Sequence, residues 1–211
     1  MSKIRKILRS PEGGRNYFLV DACFLVNKYI PPALVIDDNE RHRIERCQEW
    51  WEEIDQQLAS RVARVYIPDI CIAETFKALS KKYFEEHWFS TPNELAAAKK
   101  RLRKDIVTSP RILRSFSRDI KFHDIPTSRD IIIAVDRFFE LFQKHCLSVS
   151  LPDLIIVATA KYIMDFYDIP KERLHIITLD GNLWTGTKRI TEIPRAYNPT
   201  QDSDVRSRIF R

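Results

Sequence analysis

Four carboxylates, Asp21, Glu74, Asp153 and Asp180, stand where strand-like runs give way to helix-like ones, or early in the helix that follows. Gathered in space, they would offer the hard oxygen ligands that Mg²⁺ or Mn²⁺ prefers. A divalent ion held in this way polarises a phosphoryl oxygen, lowers the pKa of a bound water and steadies the leaving oxygen. Phosphodiester hydrolysis on such a centre needs no Ser, Cys or His nucleophile, and the chain offers no persuasive arrangement of that other kind.

Two of the four are placed by strands. Tyr17-Phe-Leu-Val20 runs straight into Asp21, and Leu174-His-Ile-Ile-Thr-Leu179 runs straight into Asp180. Short apolar runs bounded by turn residues predict buried strands. The helical stretches between them predict an α/β fold with parallel strands and crossover helices, whose ligands gather beyond the carboxyl ends of the strands. Each acid also has a plainer occupation. Ser150-x-x-Asp153 is a capping box, in which the acid satisfies a backbone N–H and the helix dipole with no metal present. Asp180-Gly181 reads equally as a turn, and Asp21 as a helix N-cap. Glu74 has the weakest pattern: its helix carries Ile72, Phe76, Leu79 and Tyr83 on one stripe, and at about 100° per residue Glu74 falls roughly opposite, toward solvent.

The other elements must hold these ends in place. Asp38 to about Ala63 is a charged amphipathic helix with Ile44, Cys47, Trp51, Ile54 and Leu58 on its inner face, which leaves one indole of the Trp50-Trp51 pair off that face. A short strand, Arg64-Val-Tyr-Ile67, precedes Pro68-Asp69, favoured openers of a helix. Asn93 to Thr108 is a further helix, with Pro110 just beyond it. Arg118–His123 forms a short edge strand. Thr127-x-x-Asp130 caps a helix to about Cys146, and the Ser150 box opens one to about Phe166 that is apolar nearly all round and hence the most buried. Residues 1–190 form one domain with a basic helical insertion at 88–126, and 191–211, aperiodic and containing Pro194 and Pro199, is expected to be a mobile tail.

A chain of 211 residues supports one sizeable core. Only 4 glycines argue against propeller, collagen-like and low-complexity architectures. Cys23, Cys47, Cys71 and Cys146 are dispersed with no C-x-x-C pair, which excludes a zinc ribbon and a small disulfide scaffold and suits a reducing cytoplasm. No run approaches a membrane span or a signal peptide, so no membrane association is expected. The net charge of +6 favours an acidic partner. It is concentrated in Lys99, Lys100, Arg101, Arg103, Lys104, Arg111, Arg114, Arg118 and Lys121, opposed locally only by Asp105 and Asp119, the footprint of an RNA contact. Trp88 and Phe89 suit either base stacking or a core. The five histidines share no spacing for a metal site, and His175, within a strand, reads as a satisfied buried residue.

Four segments, Val20-Asp21-Ala-Cys-Phe-Leu-Val-Asn27, Ile67-Pro-Asp-Ile-Cys-Ile-Ala-Glu74, Leu151-Pro-Asp153-Leu-Ile-Ile-Val-Ala-Thr-Ala160 and Thr178-Leu-Asp180-Gly-Asn-Leu-Trp184, together resemble the PIN-domain nucleases in order and spacing, over about residues 16 to 190. The resemblance implies a three-layer α/β/α sandwich around a central, mainly parallel sheet, and a homodimer. It implies a metal-dependent endoribonuclease in which Asp21, Glu74, Asp153 and Asp180 are the catalytic ligands of Mg²⁺ or Mn²⁺. Thr178 and Asn182 are second-tier residues: Thr178 points to the same side of its strand as Asp180, and Asn182 stands where many members carry another acid. VapC-like toxins are the best-known branch, in which an antitoxin protein is the partner, although the stretch between Glu74 and Asp153 is longer here than in compact toxins. Two alternatives are a non-catalytic RNA-binding or scaffold protein of the same fold, and a haloacid-dehalogenase-type phosphatase suggested by Leu179-Asp-Gly-Asn-Leu-Trp184. The latter needs a nucleophilic aspartate where this chain has Thr178.

Overall fold

Strand β1 (Asn16–Val20) is buried at every residue, as a strand must be when helices cover both faces of its sheet. The computed structural model describes residues 14–106 and 122–210. Within them β2 (Ala63–Pro68), β3 (Phe122–Ile125), β4 (Leu174–Ile177) and β5 (Ala196–Tyr197) join β1 in the order β3-β2-β1-β4-β5, every neighbouring pair parallel. The chain builds outward from β1 through β2 to β3 and then crosses to the other side for β4 and β5. The order therefore reverses at β1, and the crevice at the carboxyl ends of β1 and β4 is where such a sheet binds ligands.

Helices cover both faces, giving the expected α/β/α sandwich. On one face Tyr66 stacks between Tyr17 (6.2 Å) and Tyr167 (6.1 Å), the last residue of α6 (Leu151–Tyr167). On the other, Phe18 meets Phe210 at 5.6 Å, and Phe210 meets Trp50 of α2 (Asp38–Ala59) edge-on at 5.4 Å. Trp51 stacks on Phe24 of the short helix α1 (Ala22–Leu25), 4.7 Å away, and donates its indole N–H to the Phe24 carbonyl. Both indoles are buried, including the one that helical periodicity leaves off the inner face.

Trp50 is covered by residues read from sequence as a mobile tail. The stretch 191–210 instead supplies β5 and then α8 (Arg206–Ile209), with Ile193, Asn198, Asp202 and Ile209 buried. Asp202 accepts the Trp184 indole N–H at 2.6 Å, and Arg206 pairs with Glu49 and Glu53 on α2. These partners are distant in sequence, so no local periodicity marks the segment as folded.

The helices α3 (Asp69–Phe84), α4 (Pro92–Ile106) and α5 (Arg129–Lys144) fall near their expected positions. The N-cap of α5 is Ser128, whose hydroxyl accepts from the Ile131 N–H, one residue beyond the expected Thr127. Helix α6 keeps the Ser150/Asp153 capping box with both reciprocal bonds, and α7 (Gly181–Arg189) follows β4. Trp88 and Phe89 are buried and belong to the core, not to a stacking platform. Strand β3 overlaps the carboxyl end of the expected 118–123 strand, and the expected RNA contacts Arg111 and Arg114 lie outside the described residues. No helix among the described residues is long and apolar enough to cross a membrane.

Candidate metal centre

Asp21 directly follows β1 and is buried, and its backbone N–H still bonds the Ile177 carbonyl of β4. The ends of the two central strands are thus tied together at this residue. Its carboxylate Oδ2 accepts from the Thr178 hydroxyl and from the Cys23 thiol, both at 2.7 Å. Cys23 in turn accepts the Leu179 N–H at 3.1 Å, and the Thr178 hydroxyl accepts the Asp180 N–H at 2.9 Å. Thr178 therefore positions two of the expected ligands at once: it orients the carboxylate of Asp21 and fixes the backbone of Asp180.

Glu74, which sequence periodicity turns toward solvent, lies in the site. Oxygen atoms of Asp21 and Glu74 and the sulfur of Cys71 all fall within 4.8 Å of one another. The reason is a roll of α3. Its fully buried residues are Cys71, Thr75 and Leu79, whereas Ile72, Phe76 and Tyr83 of the expected stripe are only partly buried. At about 100° per residue this shifts the inner face so that Glu74 lies on its flank and not on its back. Cys71, three residues before Glu74 and therefore on the same side of the helix, is the member of the cluster that the sequence does not single out. Its spacing from Glu74 was the available signal.

Asp153 is buried in the first turn of α6, with Oδ2 accepting from the Ser150 hydroxyl (2.6 Å) and backbone N–H (2.9 Å). Asp180 is the N-cap of α7, its Oδ1 accepting from Leu183 N–H at 2.6 Å. Asp153 thus performs the capping role that the sequence assigns it, Asp180 caps a helix where the sequence suggests a turn, and each bond described engages one carboxylate oxygen. Asn182 is exposed and donates to the Ser148 carbonyl at 2.7 Å, tying α7 to the loop before α6. Asn27 is buried beneath α1 and donates to the Cys23 carbonyl at 2.7 Å, a structural role.

The electrostatics link the acids into one group. Burial pushes the carboxyl of Asp21 up, against the pull of its bonds from Cys23 and Thr178. Burial and then the charges of Asp21 and Asp153 raise Glu74, and burial, with Asp21 and Asp180 adding, raises Asp153 against its Ser150 bonds. Burial is the leading cause at all three; mutual repulsion adds to it at Glu74 and Asp153, and Lys77 opposes it at Glu74. Burial, followed by the charges of Asp21, Glu74 and Asp153, holds the Cys71 thiol well above its usual value, so it stays protonated. A buried group of carboxylate oxygens with excess negative charge fits a hard divalent cation.

A pH prediction follows. Because the raised carboxyls bind protons more tightly folded than unfolded, the metal-free protein carries a penalty, chiefly of burial, that is full above the raised values and relieved as pH falls toward the ordinary 3.8 of an aspartate. In EDTA, the stability of the wild type relative to Asp21→Asn is expected to rise as pH falls through the raised value of Asp21 toward 3.8. Urea unfolding of the two proteins measures this, and a difference that stays flat across that range contradicts it.

Fold and site together define an α/β/α protein with an acidic crevice at the switch point of its parallel sheet. Among solved structures the chain is similar to VapBC2 from Rickettsia felis bound to a DNA fragment from their promoter, with TM-score 0.50 and 12% identity over 86% of this chain and 98% of that one. It is similar to FitAcB from Neisseria gonorrhoeae, with TM-score 0.50 and 16% identity over 87% and 99% of the two chains. FitAB bound to an IR36 DNA fragment gives TM-score 0.50 and 15% identity over 86% and 94%. No protein-family model and no curated protein matches the sequence. At these identities the likeness is one of fold, an α/β/α sandwich around a parallel sheet, as the sequence leads one to expect.

Proposed function

We propose that this chain is a metal-dependent endoribonuclease, the toxin of a toxin–antitoxin pair, with Asp21, Glu74, Asp153 and Asp180 holding Mg²⁺ or Mn²⁺. The observation that carries the reading is the inward turn of Glu74, which brings its carboxylate to Asp21 although α3 has an exposed side to receive it. A divalent ion bound there supplies charge for a phosphoryl oxygen and a water of lowered pKa. The chain's own part is orientation. Thr178 and Cys23 aim the Asp21 carboxylate, Ser150 aims Asp153, and the first turn of α7 holds one oxygen of Asp180. The phosphatase alternative is disfavoured by the same geometry, because Thr178 is buried with its hydroxyl committed to Asp21 and offers no carboxylate nucleophile.

RNA is the proposed substrate because α4 presents cations beside the helix that carries Glu74. Lys99 donates to Ser80 of α3 at 2.8 Å, Arg103 lies over Phe76 of α3 at 5.4 Å, and Arg101 donates to the Tyr29 carbonyl at 3.0 Å. These partners are neutral and leave the charge available. Lys100 and Lys104 are exposed on the same helix. Replacing both by alanine is expected to weaken RNA binding and to flatten its dependence on log salt concentration by about 0.7 for each phosphate that is no longer neutralised. Fluorescence anisotropy at several salt concentrations measures the slope, and an unchanged slope removes these lysines from the interface. The proposed partner is an antitoxin, in keeping with neighbours described as VapBC2 and FitAB on DNA.

Incubation of labelled RNA with Mn²⁺ or Mg²⁺ tests the activity, and internal cleavage that EDTA abolishes is the expected result. RNA that is bound but never cut in either metal would mark the chain as a binding or scaffold protein instead.

A further inference from the structure

On the far side of β4 from β1 the sheet has a notch. Strand β5 pairs only with Ile176 and Ile177, so Leu174 and His175 have no strand beside them on that side among the described residues. The notch opens into a cavity of about 590 Å³ lined by these residues, by Lys171 and Glu172 from the turn before β4, by Lys188 near the end of α7, and by Arg195 and Tyr197 at β5. That volume is typical of a small-molecule site. It is also separate from the acidic centre, which lies beyond the opposite, carboxyl end of β4.

Two features of the lining bear on its ligand, and the charge among them favours an anion. The first is charge. The Lys171 ammonium donates to the Thr191 carbonyl, the Lys188 ammonium lies 3.0 Å from the centre of the Trp184 ring, and the Arg195 guanidinium lies 5.1 Å from that of Tyr197. These neutral partners place the cations without cancelling them, and among the described residues none of the three is paired with a carboxylate. Glu172 is the one acid in the lining. The second feature is His175, which is 6% exposed and whose Nε2 has no hydrogen-bond partner. A buried ring nitrogen left unpaired calls for a partner. Burial and then Arg173 lower its pKa to about 4, so at neutral pH the imidazole is neutral and can offer a single N–H.

We propose that this notch binds the phosphate monoester of a nucleotide, with Lys171, Lys188 and Arg195 around the phosphate, His175 beneath them and the Tyr197 ring against the nucleoside. A phosphate dianion offers several strong acceptor oxygens to the cationic side chains that line the notch, and a half-buried tyrosine ring stacks on any base. A divalent cation is repelled by the same lining. The phosphate can come from a free mononucleotide or from the end of an RNA strand. The site does not depend on nuclease activity.

The test is calorimetric titration of the full chain in EDTA, which removes metal-assisted phosphate binding at the acidic centre. The titrants are AMP, inorganic phosphate, adenosine, and a short RNA carrying either a 5′-phosphate or a 5′-hydroxyl. AMP and phosphate are expected to bind and adenosine not to. Lys188→Ala combined with Arg195→Ala, both exposed side chains whose loss spares the core, is expected to weaken AMP about tenfold or more. Tighter binding of the 5′-phosphorylated RNA than of its hydroxyl form identifies an RNA end as the source, and AMP binding without that preference identifies the free nucleotide. The proposal is overturned if AMP shows no millimolar binding, if adenosine binds as tightly as AMP, or if the double variant binds AMP like the wild type.

Discussion

Asp21→Asn is expected to lower metal-dependent RNA cleavage by about a thousandfold, the scale of about 4 kcal/mol in transition-state stabilisation. The substitution tests chemistry and not folding, for a specific reason. Both side-chain donors to Asp21, the Thr178 hydroxyl and the Cys23 thiol, address the single oxygen Oδ2, and an asparagine carbonyl can accept them in its place. What is lost is the charge at the centre of the acidic group. The same loss relieves the repulsion felt by Glu74 and Asp153, so the variant is expected to melt higher than the wild type in EDTA. It should also lose most of the stabilisation that Mg²⁺ or Mn²⁺ confers by binding only the folded state. Activity and metal-free stability therefore move in opposite directions, as residues kept for function at the expense of stability should. Cleavage rates and melting temperatures with and without metal decide the matter, and cleavage by the variant at the wild-type rate would falsify the proposed centre.

The largest expected effect on stability comes from a position far less conspicuous. Gly186 in α7 sits against Phe142 of α5 so closely that an added Cβ would lie 2.2 Å from Cε1, 2.9 Å from Cζ and 3.0 Å from Cδ1. Phe142 is fully buried, so its ring has no open space to turn into. Alanine is the better helix former by about 1 kcal/mol, but overpacking a closed core costs about 1–3 kcal/mol and occasionally more. The clash is the dominant effect here because the contact is with the rigid body of a ring and not with a flexible end. Gly186→Ala is expected to destabilise by about 2 kcal/mol, a fall of about 4–8 °C in Tm for a domain of this size. Adding Phe142→Leu should restore part of the loss in a double-mutant cycle, since the two sites touch. Independent, additive effects would mean that the α5–α7 contact is not this close.

How much of this was legible from the residues depended on the range of the interactions involved. Asp21 and Asp180 follow apolar runs whose burial as central strands is a local signal, and the crevice where they meet follows from parallel connectivity. The Ser150/Asp153 capping box is equally local and is present with both of its bonds. Thr178, placed by strand alternation on the same side as Asp180, bonds Asp21 as well as the Asp180 backbone. Glu74 shows the limit. The hydrophobic stripe of α3 reports which residues are apolar, but the helix is buried on a broader arc that includes Cys71 and Thr75, and its roll is set by what packs against it. His175 is buried, as its place in a strand implies, yet its Nε2 has no hydrogen-bond partner, packed as the ring is against Phe18 and Tyr197. The fold of residues 191–210 was illegible for a related reason: Phe210 rests on Phe18 and Trp50, and Arg206 on Glu49 and Glu53, all of them far upstream.

The α/β class, the parallel connectivity, the two strand-end aspartates and the cap of α6 thus follow from patterns a few residues long, because backbone periodicity and capping are satisfied within a turn or a strand. The roll of α3 that brings Glu74 and Cys71 to Asp21, the docking of α4 along that helix, the close fit of Gly186 to Phe142 and the notch beside β4 arise only from packing. Each depends on the shape of a surface assembled from segments far apart in the chain, and no local pattern records that shape.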